Sequence, residues 1–333
     1  MKRAYTIVLP LRNGGEYLKE CVTSILAQTY TNFEIAVLEN NSSDNSVAWL
    51  QSLCEDRIKI YPAEHDLSIE QNWGRARLIP RQDWMTFIGH DDQLAPDFLE
   101  VIDGLIEANP DASLYQTHFH YIDEKGVRTQ NCAPFPAREK AHELLAGFLT
   151  NQRESYSGFV MRSADYDAVG GIPTFPKLLW ADHALWISLT HKSWKAASAQ
   201  QGFALRQHTR STAGSADWRS LMHGMSCYIE FLQKLRLQDP EVDAVCHRYG
   251  DAYFLSHCRL FYLLALVRAT KQNQRVDPDV LSEISVTLAL WSPELVPSLP
   301  CTRTLRMREV INRVPLRWVY RTYIRAFYGP DAL

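Results

Sequence analysis

The chain has 333 residues, 46% of them hydrophobic and 22% charged, with a net charge of −3. That length holds one large domain with an accessory piece, or two ordinary domains, and the balance is that of a folded globular protein. It supplies no basic field for nucleic acid, and no run reaches the about eighteen apolar residues that cross a bilayer. Seven cysteines (Cys21, Cys54, Cys132, Cys227, Cys246, Cys258, Cys301) are scattered and never arranged as C-x-x-C. This is the pattern of free thiols in a reducing compartment, not of a disulfide framework or a zinc site.

The opening MKRAYTIVLPL has a charged end and a short apolar run that stops at Pro10 without a cleavage-like site. It reads as a first strand, Tyr5–Leu9, and not as a signal peptide. Leu18, Cys21, Val22, Ile25 and Leu26 recur at helical spacing and predict a helix over Glu16–Gln28. Phe33–Leu38 predicts a second strand, Val47–Leu53 a helix, Ile58–Tyr61 a strand, Ile69–Leu78 a helix and Trp84–Ile88 a strand. Strands alternating with helices imply a doubly wound, mainly parallel sheet. Ligands of such sheets sit beyond the carboxyl ends of the strands. The polar clusters Pro10–Gly15, Glu39–Asp44 and Gly89–Asp92 all fall there, so three distant segments are expected to share one crevice.

Further on, Leu114–Tyr121 alternates like a strand, Gly158–Arg162 is short and apolar, and Asp165–Gly171 reads as a helix stopped by Gly170-Gly171. Past about Ser215 the character changes to long helical runs, Tyr253–Ala269 and Val280–Trp291. The expected division is therefore 1–215 and 216–333, the second part a helical accessory region in contact with a membrane or an acceptor.

Several residues carry candidate chemistry. Asp91-Asp92 follows a strand directly, and adjacent carboxylates repel unless a cation or water relieves them. Mg²⁺ and Mn²⁺ are held by one or two carboxylates together with substrate phosphates, though a solvated turn gives the same text. Asp182, between Trp180 and Trp186, is either a proton acceptor or the N-cap of a helix over Ala184–Leu189. His208 is a polar loop residue or a ligand, His90 packs beside the acidic pair, and His118 and His120 alternate on a half-exposed strand. The segment Arg303–Tyr328 interleaves arginines with Trp318, Tyr320, Tyr323, Phe327 and Tyr328. It reads either as a helix lying on an anionic membrane surface or as a helix packed on the protein.

In their order and spacing these pieces resemble the family 2 inverting glycosyltransferases of the GT-A fold. The resemblance is carried by TIVLPLRNGGEYLKECVTSILAQTYTNFEIAVLENNSSDNS, Asn72-Trp73, DWMTFIGHDDQLAPDFLE, SGFVMRSADYDAVGGIP and WADHALWISL, and it covers about 1–215. It implies a GT-A doubly wound, mainly parallel sheet flanked by helices, with a C-terminal helical accessory region. It further implies inverting transfer from a nucleoside-diphosphate sugar, a UDP-sugar favoured, to a hydroxyl of a glycan or lipid-linked glycan. The setting would be cell-surface polysaccharide or lipopolysaccharide biosynthesis, in the cytoplasm at the inner face of the membrane. Mn²⁺ or Mg²⁺ would be the cofactor.

Position by position, Pro10, Leu11, Arg12, Glu39, Asn72 and Asp91 would bind the donor nucleotide. Asp91 and Asp92 match the aspartate motif that holds the metal, with His208 as a further ligand, and Asp182 matches the general base. His208 and Arg210 lie in a loop expected to close over the leaving diphosphate. The chain departs from the family at Arg12 (usually aromatic), Glu39 (usually aspartate), Gly89 (often acidic) and Ala181 (often acidic). Three rivals stand beside this reading. A dinucleotide-binding dehydrogenase lacks its G-x-G-x-x-G, since LRNGGEYL does not supply it. A nucleotidyltransferase shares the sheet type. A non-catalytic glycan- or nucleotide-binding protein derived from a transferase is the third.

Overall fold

The computed structural model describes residues 2–208, 217–299 and 303–313. Two compact units result, Met1–Ser215 and Ala216–Leu333. Arg210, and the aromatic residues expected to lie on a membrane from Trp318 to Tyr328, fall outside the described residues.

In the first unit the elements follow as β1 (Tyr5–Leu11), α1 (Gly15–Leu26), β2 (Phe33–Glu39), α2 (Ser46–Ser52), β3 (Ile58–Pro62) and α3 (Ile69–Gly74). Then come β4 (Trp84–Phe87), β5 (Gln93–Leu94), α4 (Phe98–Ala108), β6 (Leu114–Ile122), β7 (Arg128–Asn131) and β8 (Arg138–Glu139). The unit closes with α5 (Ala141–Leu149), β9 (Val160–Arg162), α6 (Ser163–Ala168), α7 (Ala181–Lys192) and β10 (Lys195–Arg206). One mixed sheet runs in the order β3-β2-β1-β4-β9-β6-β10-β5, with β7 paired to β6 and β8 to β10. β3, β2, β1 and β4 are parallel, β9 runs against both β4 and β6, and β10 is parallel to β6. This is the mainly parallel sheet flanked by helices that the sequence predicts.

All seven residues of β1 are buried, as a strand covered on both faces requires. The strand runs two residues past the expected end, through Pro10. Val8 accepts from Ile88 N on the β4 side, so by strand alternation Pro10 faces that same side, where β4 has already ended. No ladder partner is lost there, which is where proline is tolerated. Helix α1 buries Leu18, Cys21, Val22 and Ile25, the stripe read from their spacing. The expected helix Ile69–Leu78 is α3 followed by a 3₁₀ turn over Arg75–Arg77.

The second unit consists of helices: α8 (Trp218–Arg236), α9 (Pro240–Val245), α10 (Asp251–Lys271), α11 (Asp279–Trp291) and α12 (Arg303–Asn312). A Cβ on Gly250 would lie 2.0 Å from Trp291 Cζ2, so only glycine lets α10 and α11 approach there. Trp291 Nε1 also donates to Asp251 at 2.8 Å. Among the described residues no helix is long and apolar enough to cross a membrane. Six cysteines there, all those of the sequence except Cys301, are free thiols.

Candidate active site

The crevice is built where β1, β2 and β4 end. The β1–α1 turn, with Asn13 and Gly15 at positive φ, leaves N–H groups at the helix start without helical partners. The loop after β2 satisfies them. Ser42 Oγ accepts from Asn13 N at 3.0 Å, Ser46 Oγ from Gly14 N at 3.1 Å and Asp44 Oδ2 from Gly15 N at 3.1 Å. The polar side chains of Glu39–Asn45 thus serve chiefly to join two loops. Glu39 is 5% exposed and its Oε1 accepts from Ser42 N at 2.5 Å. Its neighbour Asn40 makes two bonds of 2.9 Å to the main chain of Leu67.

Asn72 donates to Leu38 O at 2.9 Å. Arg75 donates to Glu39 O, Asn72 Oδ1, Tyr61 O and Pro62 O at 2.8–3.0 Å. Above these groups opens a cavity of about 400 Å³ whose walls include Pro10, Leu11, Arg12, Asn40, Asn72 and Asp91. Arg12 reaches it from the rim, paired with Asp66 at 2.9 Å. His90 is also on its wall. Glu39 lies beneath and does not line it.

The acidic pair divides its work. Asp92 is 5% exposed; its Oδ1 accepts from Arg206 N at 3.0 Å and its Oδ2 from Ser157 Oγ at 3.3 Å. Burial, and next the charge of Asp91, push its carboxyl well above the usual carboxylate range, against those two hydrogen bonds. Asp91 instead faces the cavity, its side chain 28% exposed, and meets His208 Nε2 at 2.8 Å. Gly89 makes room for both carboxylates, since a Cβ there would stand 2.5 Å from Asp91 Oδ1.

Sequence reasoning missed two supports of this arrangement. Arg206, with a fully buried side chain, donates to Asp91 O at 2.7 Å and Asp123 O at 3.0 Å, pairs with Glu20, and lies over the Tyr17 ring at 4.4 Å. Tyr17 also packs on His208, with centroids 5.5 Å apart. Ser157 donates to Asp92 and accepts from Gly89 N at 3.1 Å. Ser157 opens the segment SGFVMRSADYDAVGGIP, but nothing in that text ties it to Asp92, and no motif marks Arg206, which β10 brings back from more than a hundred residues away.

Among the described residues no group of three or more His, Cys, Asp or Glu is placed to hold a metal. Asp91, on the cavity wall, and His208, bonded to it, form a two-residue donor set of carboxylate and imidazole. Such a set fits Mn²⁺ or Mg²⁺ when substrate phosphates and water complete the shell.

A second cavity, of about 290 Å³, has Trp73, Phe87, Tyr156, Trp180, Trp186 and Asp182 on its walls. Aromatic packing holds it open: Trp73 stacks on Phe87 at 5.3 Å and Phe159 on Trp186 at 4.5 Å. Asp182 is in the first turn of α7 but does not cap it. The N-cap is Trp180, in the left-handed conformation with φ 61°, and the Asp182 carboxylate accepts from His183 N at 2.9 Å. Ala181 is fully buried, so this position faces the core. The two cavities share Ile69, Trp73 and Lys177 on their walls. His118 is structural, bonded to Ser198 O at 2.8 Å and stacked on Phe135.

A family model described as glycosyl transferase family 2 matches residues 6–169. Those residues form a domain of that family. Curated relatives of this glycosyltransferase include glycosyltransferase GlyG of Streptococcus pneumoniae serotype 4, 24% identical over 38% of this chain and 42% of GlyG. An uncharacterized glycosyltransferase of Rickettsia conorii is 31% identical over 36% of this chain and 20% of its own length. The chain thus matches less than half the length of these relatives. In fold, the glycosyltransferase is similar to S. aureus TarS 1–349 in complex with UDP-GlcNAc, with a TM-score of 0.68 and 13% identity over 97% of this chain and 92% of that one. Its architecture is GT-A, with a C-terminal helical region.

Proposed function

We propose that this glycosyltransferase moves a sugar, with inversion, from a nucleoside diphosphate to a hydroxyl of a glycan or lipid-linked glycan in cell-surface polysaccharide or lipopolysaccharide biosynthesis. The observation that carries the reading is the adjacency of two cavities along Ile69, Trp73 and Lys177, with Asp91 on one and Asp182 on the other. The first takes the donor. Pro10, Leu11, Arg12, Asn40 and Asn72 surround the nucleoside, and Glu39 acts from below by holding the loop that carries Asn40. A uridine donor is the first choice because the structurally similar TarS carries UDP-GlcNAc. The second cavity takes the acceptor sugar against its aromatic walls.

Asp182 accepts the proton of the acceptor hydroxyl as that oxygen forms its bond to the anomeric carbon. The bond from that carbon to the diphosphate oxygen breaks on the opposite face, with its electron pair. Asp91 and His208 would hold Mn²⁺ or Mg²⁺, which supplies positive charge to the leaving diphosphate when bound. Arg206 fixes the main chain of Asp91, Tyr17 packs on the His208 ring, and Asp92 supports the turn from the buried side. Free thiols suit a reducing cytoplasmic setting, and we place the reaction at the inner face of the membrane, with the helical unit toward membrane or acceptor.

The test is donor turnover by the full chain with UDP-, GDP- and dTDP-sugars in Mn²⁺, with and without EDTA. Release of nucleoside diphosphate that EDTA abolishes is expected. Binding without any turnover would favour a non-catalytic descendant of a transferase, and release of pyrophosphate a nucleotidyltransferase.

A further inference from the structure

We infer that Lys177 is a ligand of the donor diphosphate, an inference that rests on the donor-site reading above. Lys177 lies on the walls of both cavities, so it stands at the seam where the glycosidic bond would break and form. The main chain there is unusual: Lys177, Leu178 and Trp180 have φ of 56°, 57° and 61°. Three left-handed non-glycine residues within four positions persist only where the surrounding fold enforces them, and such strain gathers at ligand clamps. The segment directs an exposed lysine to the seam immediately before the helix that carries Asp182.

Charge decides which substrate it meets. The donor cavity already holds the Asp91 carboxylate and must also take a diphosphate. Of its basic wall residues, Arg12 is paired with Asp66. Among the described residues Lys177 makes no ion pair with a carboxylate, although Asp182 shares a wall with it. Apart from Ser157, whose hydroxyl is bonded to Asp92 and Gly89 N, the remaining walls of the acceptor cavity are aromatic and aliphatic, and its carboxylate, Asp182, is assigned to the acceptor hydroxyl. The group facing Lys177 that needs a cation is the phosphate chain, and an ammonium serves phosphate as a movable point charge.

Titration calorimetry of the full chain in Mn²⁺ tests this, taking the tightest of UDP, GDP and dTDP and comparing it with its own nucleoside. Lys177→Ala is expected to weaken the diphosphate by about tenfold, the scale of one charge-assisted hydrogen bond. The nucleoside should bind unchanged, and Lys177→Arg should restore most of the loss. Equal diphosphate affinity in Lys177→Ala, or an equal loss for diphosphate and nucleoside, overturns the role of Lys177 and leaves the transferase reading standing. A wild-type chain that binds none of the three diphosphates overturns the reading beneath it.

Discussion

Asp182 and Asp91 are both carboxylates at cavity walls, yet their neighbours give them separable tasks. The Asp182 carboxylate is bonded within its own helix turn and lines a largely aromatic chamber, so Asp182→Asn changes proton affinity and little else. Turnover should fall at least about 10²-fold while the calorimetric affinity for the donor nucleotide stays within about twofold of wild type. The acidic doublet yields a sharper contrast. Asp91→Asn removes a charge that faces the donor, and half-saturation by Mn²⁺ should rise at least about tenfold, the lower end of what even supporting residues of metal sites cost. Asp92→Asn can still accept from Arg206 N and offer its amide to Ser157, so its Mn²⁺ requirement should move far less. If the two variants respond alike, the division between buried support and exposed ligand is wrong. From the sequence these neighbours read alike, because burial of one member depends on Ser157 and Arg206, remote in the chain.

At the level of elements, periodicity served well where each element is covered on a fixed side. The stripe of α1 and the apolar runs of β1, β2 and β4 announce themselves because their buried residues are apolar apart from Thr6, Glu39 and Thr86. β10 does not: KAASAQQGFALR contains no β-branched residue, and pairing with β6, β5 and β8 makes it a strand. The helix that carries Asp182 was legible, but its left-handed entry through Lys177 and Trp180 was not, since the surrounding fold and not local preference holds that backbone. The loop after β2 read only as a polar cluster, for a related reason. Its Ser and Asp oxygens satisfy a neighbouring helix start, a demand invisible until the two loops meet. Gly158, with φ 89°, precedes β9, and a Cβ there would fall 2.4 Å from Phe203 Cδ2. Gly158→Ala should therefore lose about 2–4 kcal/mol in denaturant unfolding, from overpacking together with backbone strain. It should also disturb Ser157 and raise the Mn²⁺ requirement. A neutral effect would mean that the β9 entry adapts.

For the molecule as a whole, the net charge of −3 sets no bar to an anionic ligand, because what such a ligand feels is the field of one cleft. Saturating nucleoside diphosphate with Mn²⁺ should slow amide exchange at residues 11–12, 67–73 and 89–91 and leave α4 unaffected. It should also stabilise the chain by about 2.7 kcal/mol at a hundredfold excess over Kd. Protection confined to α4, or none, would remove the donor from this cleft. Parallel strands that end together aim peptide carbonyls at the ligand, a repulsive rim for phosphate. Arg75 sits among these oxygens and engages three of them, those of Glu39, Tyr61 and Pro62, so one guanidinium turns a rim of partial negative charge into ground a polyanion can approach. A lysine there, lacking the planar fork, would leave part of that rim bare even with the same formal charge.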